Sequence, residues 1–193
     1  IKIFPKNSYL FNLGGLILQN GLKIKSSIDY FKKSLEFDPK NSAAKNNIAN
    51  SYKAIGKFDL AENIFKDLLS REPNNLKCLY NYGNLKQQID DNKGAINFYE
   101  KALKLEPNNI RVLFTIAHCY QSLGNFDLAK EQLNKVLEID AENTIAHRGI
   151  SSMTLYTPDH KHLREMIDVS RNELLKDTQK IDLFFALGKA YED

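Results

Sequence analysis

Apolar residues recur at three- and four-residue spacing through most of the chain, as in Ile110, Leu113, Ile116, Ala117 and Tyr120, with polar residues between them. That period marks an amphipathic α-helix with one buried face. The pattern is interrupted at regular intervals. Gly56 and Gly124, in "AIGKFDLA" and "SLGNFDLA", close one helix, and Asp59 or Asp127 lies near the start of the next. Pro39, Pro73 and Pro107, in "EFDPKN", "REPNN" and "LEPNN", follow each second helix and stop it. The chain therefore reads as antiparallel helix pairs, each helix of roughly 13 residues, joined by short turns.

The three prolines are 34 residues apart, and the next step falls on Ala141 in "EIDAEN". The same step links Phe31, Phe65, Tyr99 and Leu133, then Ser27, Ala61, Ala95 and Ala129, then Gly15, Ala49, Gly83 and Ala117. Four registers at one period define a repeat protein. The small residues are expected where the paired helices cross, and the large ones in the wedge between one pair and the next. Tyr52, three residues after Ala49, is assigned to that wedge, so that Tyr52→Ala should cost about 3–5 kcal/mol. Three positions depart from the pattern. Lys45 and His147 replace a large apolar residue, and Lys86 replaces an aromatic one.

This period, with its small, aromatic and proline positions in order, resembles the tetratricopeptide repeat (TPR) family. The resemblance implies an all-α, right-handed solenoid of antiparallel helix pairs. Residues 1–193 read as one array, with full repeats at 8–41, 42–75, 76–109 and 110–143, an irregular fifth at 144–180 and a half repeat from 181. Leu187, Gly188 and Tyr191 match Ile116, Ala117 and Tyr120, so "LFFALGKAYED" is expected to be a first helix whose second is missing.

Composition narrows the function. The 193 residues carry 27 basic and 24 acidic side chains, a net charge of +3. That balance, without charge clusters, argues against nucleic acid. No stretch is long and apolar enough to be a membrane span, and the opening run has no cleavage site of the secretory type. Two cysteines, Cys78 and Cys119, make no disulfide framework and read as partly buried thiols in a reducing, cytoplasmic setting.

Catalytic signatures are absent from the sequence. It holds no phosphate-binding glycine loop, no nucleophile elbow and no paired cysteines at metal spacing. No cofactor is implied, and the region is not expected to be an enzyme. The one histidine cluster, His160 and His162 beside Asp159 in "TPDHKHLREM", offers too few ligands for a metal; Thr157 or Asp159 there reads as a helix cap. Asp90 and Asp91 fall in a turn between helices.

A helix-pair solenoid lines its concave side with one face of its first helices. Positions two, six, nine and twelve share that face by helical spacing. In the three middle repeats they carry Asn47, Asn50, Lys77, Asn81, Asn84, Arg111, Thr115 and His118, with Lys53, Gln87 and Gln121 beside them and no carboxylate. An amide donates and accepts at once, which suits an extended peptide backbone. The spacing of Asn47 and Asn81 resembles the asparagine ladder with which some TPR arrays hold substrate backbones. Lys77 and Arg111 suit an acidic side chain or terminal carboxylate. The face is expected to bind a protein or peptide partner; the alternative is a merely solvated surface. On either reading, Asn47→Ala with Asn81→Ala should leave stability nearly unchanged.

The irregular end carries a second resemblance. "AHR", "YTP" and "FALGKAYED" occur in the order found where TPR arrays join the catalytic domain of bacterial TPR–sulfotransferase proteins. It implies an alternative role as the accessory N-terminal arm of a sulfotransferase whose catalytic domain follows. None of the 193 residues carries that chemistry.

Overall fold

The computed structural model describes residues 7–193, and its described residues form eleven helices. Four pairs come first: α1 (Ser8–Asn20) with α2 (Ile24–Phe37), α3 (Ser42–Ala54) with α4 (Phe58–Arg71), α5 (Leu76–Gln88) with α6 (Asn92–Leu105), and α7 (Ile110–Ser122) with α8 (Phe126–Ile139). Then follow α9 (Thr144–Ser151), α10 (Lys161–Ser170) and α11 (Asp177–Glu192). The fold is an all-α helical repeat. Its contacts fall into two compact units, one ending at Leu105 and the other beginning at Glu106.

Two devices repeat with the sequence and fix the ends of the helices. The first is an asparagine cap. Asn7, Asn41, Asn75, Asn109 and Asn143, each 34 residues from the next, accept a hydrogen bond from the third backbone N–H of the helix that follows, at 3.3, 2.9, 3.0, 3.2 and 3.1 Å. Each satisfies a donor that the helix start would otherwise leave unpaired. Glu72, Glu106 and Asp140 hold the amides of three of these caps at 2.7, 2.8 and 3.0 Å.

The second device ends each first helix. Leu22, Gly56, Asp90 and Gly124 share one repeat position and take φ of 59°, 74°, 60° and 73°. The next residue's N–H reaches back to Leu18, Tyr52, Lys86 or Tyr120, each bond at 2.9 Å, closing a Schellman motif. Glycine adopts this left-handed backbone freely, whereas a branched leucine is strained there.

Packing inside each pair follows from the small residue at position eight. A Cβ built on Gly83 would stand 2.5 Å from the Tyr99 ring, and one on Gly15 would stand 2.4 Å from Phe31. The ring lies directly on the helix backbone, which only glycine permits at this distance. Phe31, Phe65 and Tyr99 are fully buried. Phe65 also stacks on Tyr82 of the next first helix at 5.5 Å, so it fills the wedge between repeats. Tyr52 is only half-buried at the edge of that core, so the cost expected for Tyr52→Ala belongs to Phe65 instead.

The fifth repeat is irregular, as its sequence indicated. After eight residues α9 gives way to a loop through Thr154 and Pro158, both poorly suited to a helix interior. A separate core of Tyr156, Leu163, Met166, Leu175, Leu183 and Ala186 binds α10 and α11. The α10 cap is His160, not Thr157 or Asp159; its Nδ1 accepts from His162 N at 3.2 Å. Helix α11 starts at Asp177, four residues before the expected half repeat.

Candidate functional site

The first helices position most of the predicted residues. On α3 and α5 the asparagines are not equivalent. Asn47 Nδ2 donates to Asn12 Oδ1 at 3.0 Å, and Asn81 Nδ2 donates to Asn46 Oδ1 at 3.0 Å. Position six of one repeat is thus stitched to position five of the repeat before it. Asn47 is only 4% exposed and forms part of the packing rather than a binding surface. The side chain of Asn46 is 2% exposed, and its Nδ2 has no hydrogen-bond partner. The expectation that Asn47→Ala with Asn81→Ala costs nothing therefore fails: a buried amide that loses its partner costs about 1–3 kcal/mol.

Asn84 is also engaged, its Oδ1 accepting from the Tyr99 hydroxyl at 2.7 Å. Asn50 is half-buried on α3 and Lys77 is exposed on α5. Lys53 lies on the same helix as Asn50, and burial holds its ammonium below the usual lysine range. In the second unit Arg111 and His118 are exposed on α7, and Thr115 donates to the Arg111 carbonyl at 2.8 Å.

Near the C-terminus the structure joins residues that the sequence left apart. His147 Nε2 lies 2.9 Å from the Ala141 carbonyl, which can only accept, so this nitrogen carries the proton. His147 Nδ1 then accepts from His162 Nε2 at 2.9 Å, and His162 Nδ1 accepts from the Tyr156 hydroxyl at 2.6 Å. Every ring nitrogen is satisfied with both imidazoles neutral. Burial, helped by the neighbouring His147 and His160, pushes His162 down to about 4. His147 is lowered as well, by burial against the opposing pull of the Ala141 carbonyl, Glu165 and Asp140. Among the described residues no group of three or more His, Cys, Asp and Glu side chains could hold a metal.

Cys78 and Cys119 are free and fully buried rather than partly so. Burial first, then the Glu72 charge, raises Cys78 to about 12, and burial raises Cys119 to about 11, so neither is a poised nucleophile. Among the described residues no helix is long and apolar enough to cross a membrane.

Comparison with known proteins agrees with this architecture. Tetratricopeptide repeat models match residues 42–75 and 87–151. No curated protein matches the sequence. Among solved structures, PilF of Pseudomonas aeruginosa superposes with a TM-score of 0.71 at 18% identity, over 96% of this chain and 85% of its own. The MamA protein superposes with 0.66 at 18% identity, over 96% and 90%. YrrB, described as a TPR protein with an unusual peptide-binding site, gives 0.65 at 18% identity, over 95% and 91%. At these identities the likeness is one of fold. With caps, turns and ring-on-glycine contacts all recurring at the period that these models describe, the chain is built of tetratricopeptide repeats.

Proposed function

We propose that the chain is a protein-interaction module that holds an extended, carboxylate-bearing peptide against the exposed faces of its first helices. The observation that carries this reading is what remains on α3 and α5 once the internal amide pairs are formed. Asn50 and Asn84 stand one repeat apart at position nine, with Lys53, Lys77 and Gln87 around them and no carboxylate in the set. Amides at one-repeat spacing match the donors and acceptors of a peptide backbone, and the lysines match an acidic side chain or C-terminus. Arg111, Thr115 and His118 extend the same register on α7. In this reading Asn47 supports the face from beneath, and Asn81 shares its amide between packing and ligand. The peptide-binding site named for YrrB lends support by analogy of fold.

The region works without a cofactor and without catalysis of its own. Two free, buried thiols suit a reducing, cytoplasmic compartment. The sulfotransferase-arm alternative rests on the C-terminal phrase alone. To test the binding reading, a random peptide library is panned on the folded chain and the selected peptides are titrated by calorimetry. Peptides rich in Asp and Glu, with affinity reduced tenfold or more by Lys77→Glu at unchanged thermal stability, support it. Selected peptides that bind Lys77→Glu and Asn50→Ala as tightly as the parent would overturn it.

A further inference from the structure

A second cleft, away from the residues proposed above, lies between α4, α5 and α6 in the first unit. It measures about 600 Å³ and has an apolar floor of Leu69, Leu79, Tyr82 and Phe98. Its charged lining is entirely cationic: Lys66 on α4, and Lys101 and Lys104 one turn apart on α6. Lys66 is paired with Glu62 of its own helix at 2.9 Å. Lys101 stands 5.3 Å above the Phe98 ring, where the ring face holds a cation beside the apolar floor.

The cleft one repeat earlier shows how this one is unusual. There Lys45, Ile48, Ile64 and Asp67 line a cleft of about 300 Å³, and Lys45 meets Asp67 at 3.3 Å, so the lining neutralises itself. A step of 34 residues replaces Lys45 with Leu79, Ile64 with Phe98 and Asp67 with Lys101. The internal ion pair is gone, the floor is more apolar and the acid has become a base. Uncompensated positive charge around an apolar floor calls for negative charge around an apolar side chain.

We infer that this cleft is a second docking site, for an acidic peptide segment of a partner protein that places a leucine or aromatic side chain between its carboxylates. Lysines on both walls set carboxylates on either side of the anchor, which a single small anion cannot supply. The first-helix face and this cleft are separate, so one can fail while the other stands.

The probe is a fluorescein-labelled hexapeptide, Glu-Asp-Leu-Phe-Asp-Glu, titrated by anisotropy at low and physiological salt. Its counterpart with Lys for every acid is the control. Binding of the acidic probe alone is expected, weakening as salt rises. Lys101→Glu with Lys104→Glu, both at the surface, should weaken it tenfold or more and leave the melting temperature in place. Leu79→Lys with Lys101→Asp, which rebuilds the ion pair of the earlier repeat, should do the same, whereas Lys77→Glu should not. Four outcomes would overturn the inference: no binding at millimolar probe, equal binding of the basic control, loss through Lys77→Glu with retention in the cleft variants, or a dimer whose formation depends on Lys101.

Discussion

Neighbouring repeats in the first unit are joined by asparagine pairs, while the irregular end of the second unit is joined by histidines. The asparagine pairs, Asn47 with Asn12 and Asn81 with Asn46, have no proton to gain or lose near neutrality. The chain from Tyr156 through His162 to His147 holds only while both rings stay neutral. The same task, satisfying polar groups between packed helices, thus gives one region that ignores mild acid and one that responds to it. The first unit has its own acid-sensitive group further down the scale. Glu62 is held at about 2, most strongly by Lys66, with the Tyr82 hydroxyl and Lys86 adding to it against the cost of desolvation.

The largest effect tests whether the regular repeats depend on their ring-on-glycine contacts. Tyr99→Ala removes a fully buried ring and should cost about 3–5 kcal/mol in a denaturant titration. A loss under about 0.5 kcal/mol, as at a surface position, would mean the ring is not structural.

Acid separates the two regions directly. A neutral buried histidine has a lower pKa folded than unfolded, so the unfolded chain binds more protons and stability falls with pH. For His162 that loss should begin near the ordinary histidine pKa of about 6.5 and end by about 4. The facing groups are His147, His160 and Tyr156, with Glu165 and Asp140 near His147. Glu62 also has its pKa lowered by folding, so its contribution persists above its ordinary value, about 4.3, and is lost toward about 2. Amide NMR from pH 7 to pH 3 should show α9 to α11 loosening first. Simultaneous loss in α3 to α6 would break the distinction, and His162→Gln should flatten the upper part of the profile.

Smaller effects sharpen the contrast. Asn81→Ala should cost about 1–3 kcal/mol, because it leaves the Asn46 amide buried with no partner at either end. Asn47→Ala should cost less, since Asn12 is only half-buried and can turn to water. The reverse order in chemical denaturation would contradict the assignment. Leu22→Gly should stabilise by about 1 kcal/mol by relieving a left-handed leucine that is 86% exposed. The same change at a regular helical leucine would destabilise.

Helix limits, turn glycines and the small–large register were legible because each is encoded locally and written four times. The capping asparagines were equally periodic, in the same "PKN", "PNN" and "AEN" phrases that fixed the repeat, yet Asn is so common in this chain that the column carried no separate signal. The binding face was only partly legible. Helical spacing places Asn47 beside Asn50, but how closely neighbouring first helices approach decides which one is covered, and that distance is absent from a one-dimensional pattern. A buried amide pair and an exposed amide look alike in sequence. His147 was visible as a departure at an apolar position. Its partner lies 15 residues on, across an irregular loop with no period to extrapolate.

The measurement that bears most directly on the account is an amide NMR titration of the folded chain with one library-selected acidic peptide. The account predicts shift changes centred on Asn50, Lys53, Lys77 and Asn84, saturating with a single affinity that Lys77→Glu weakens tenfold or more. Changes confined to other surfaces, or the same affinity in Lys77→Glu, would contradict it.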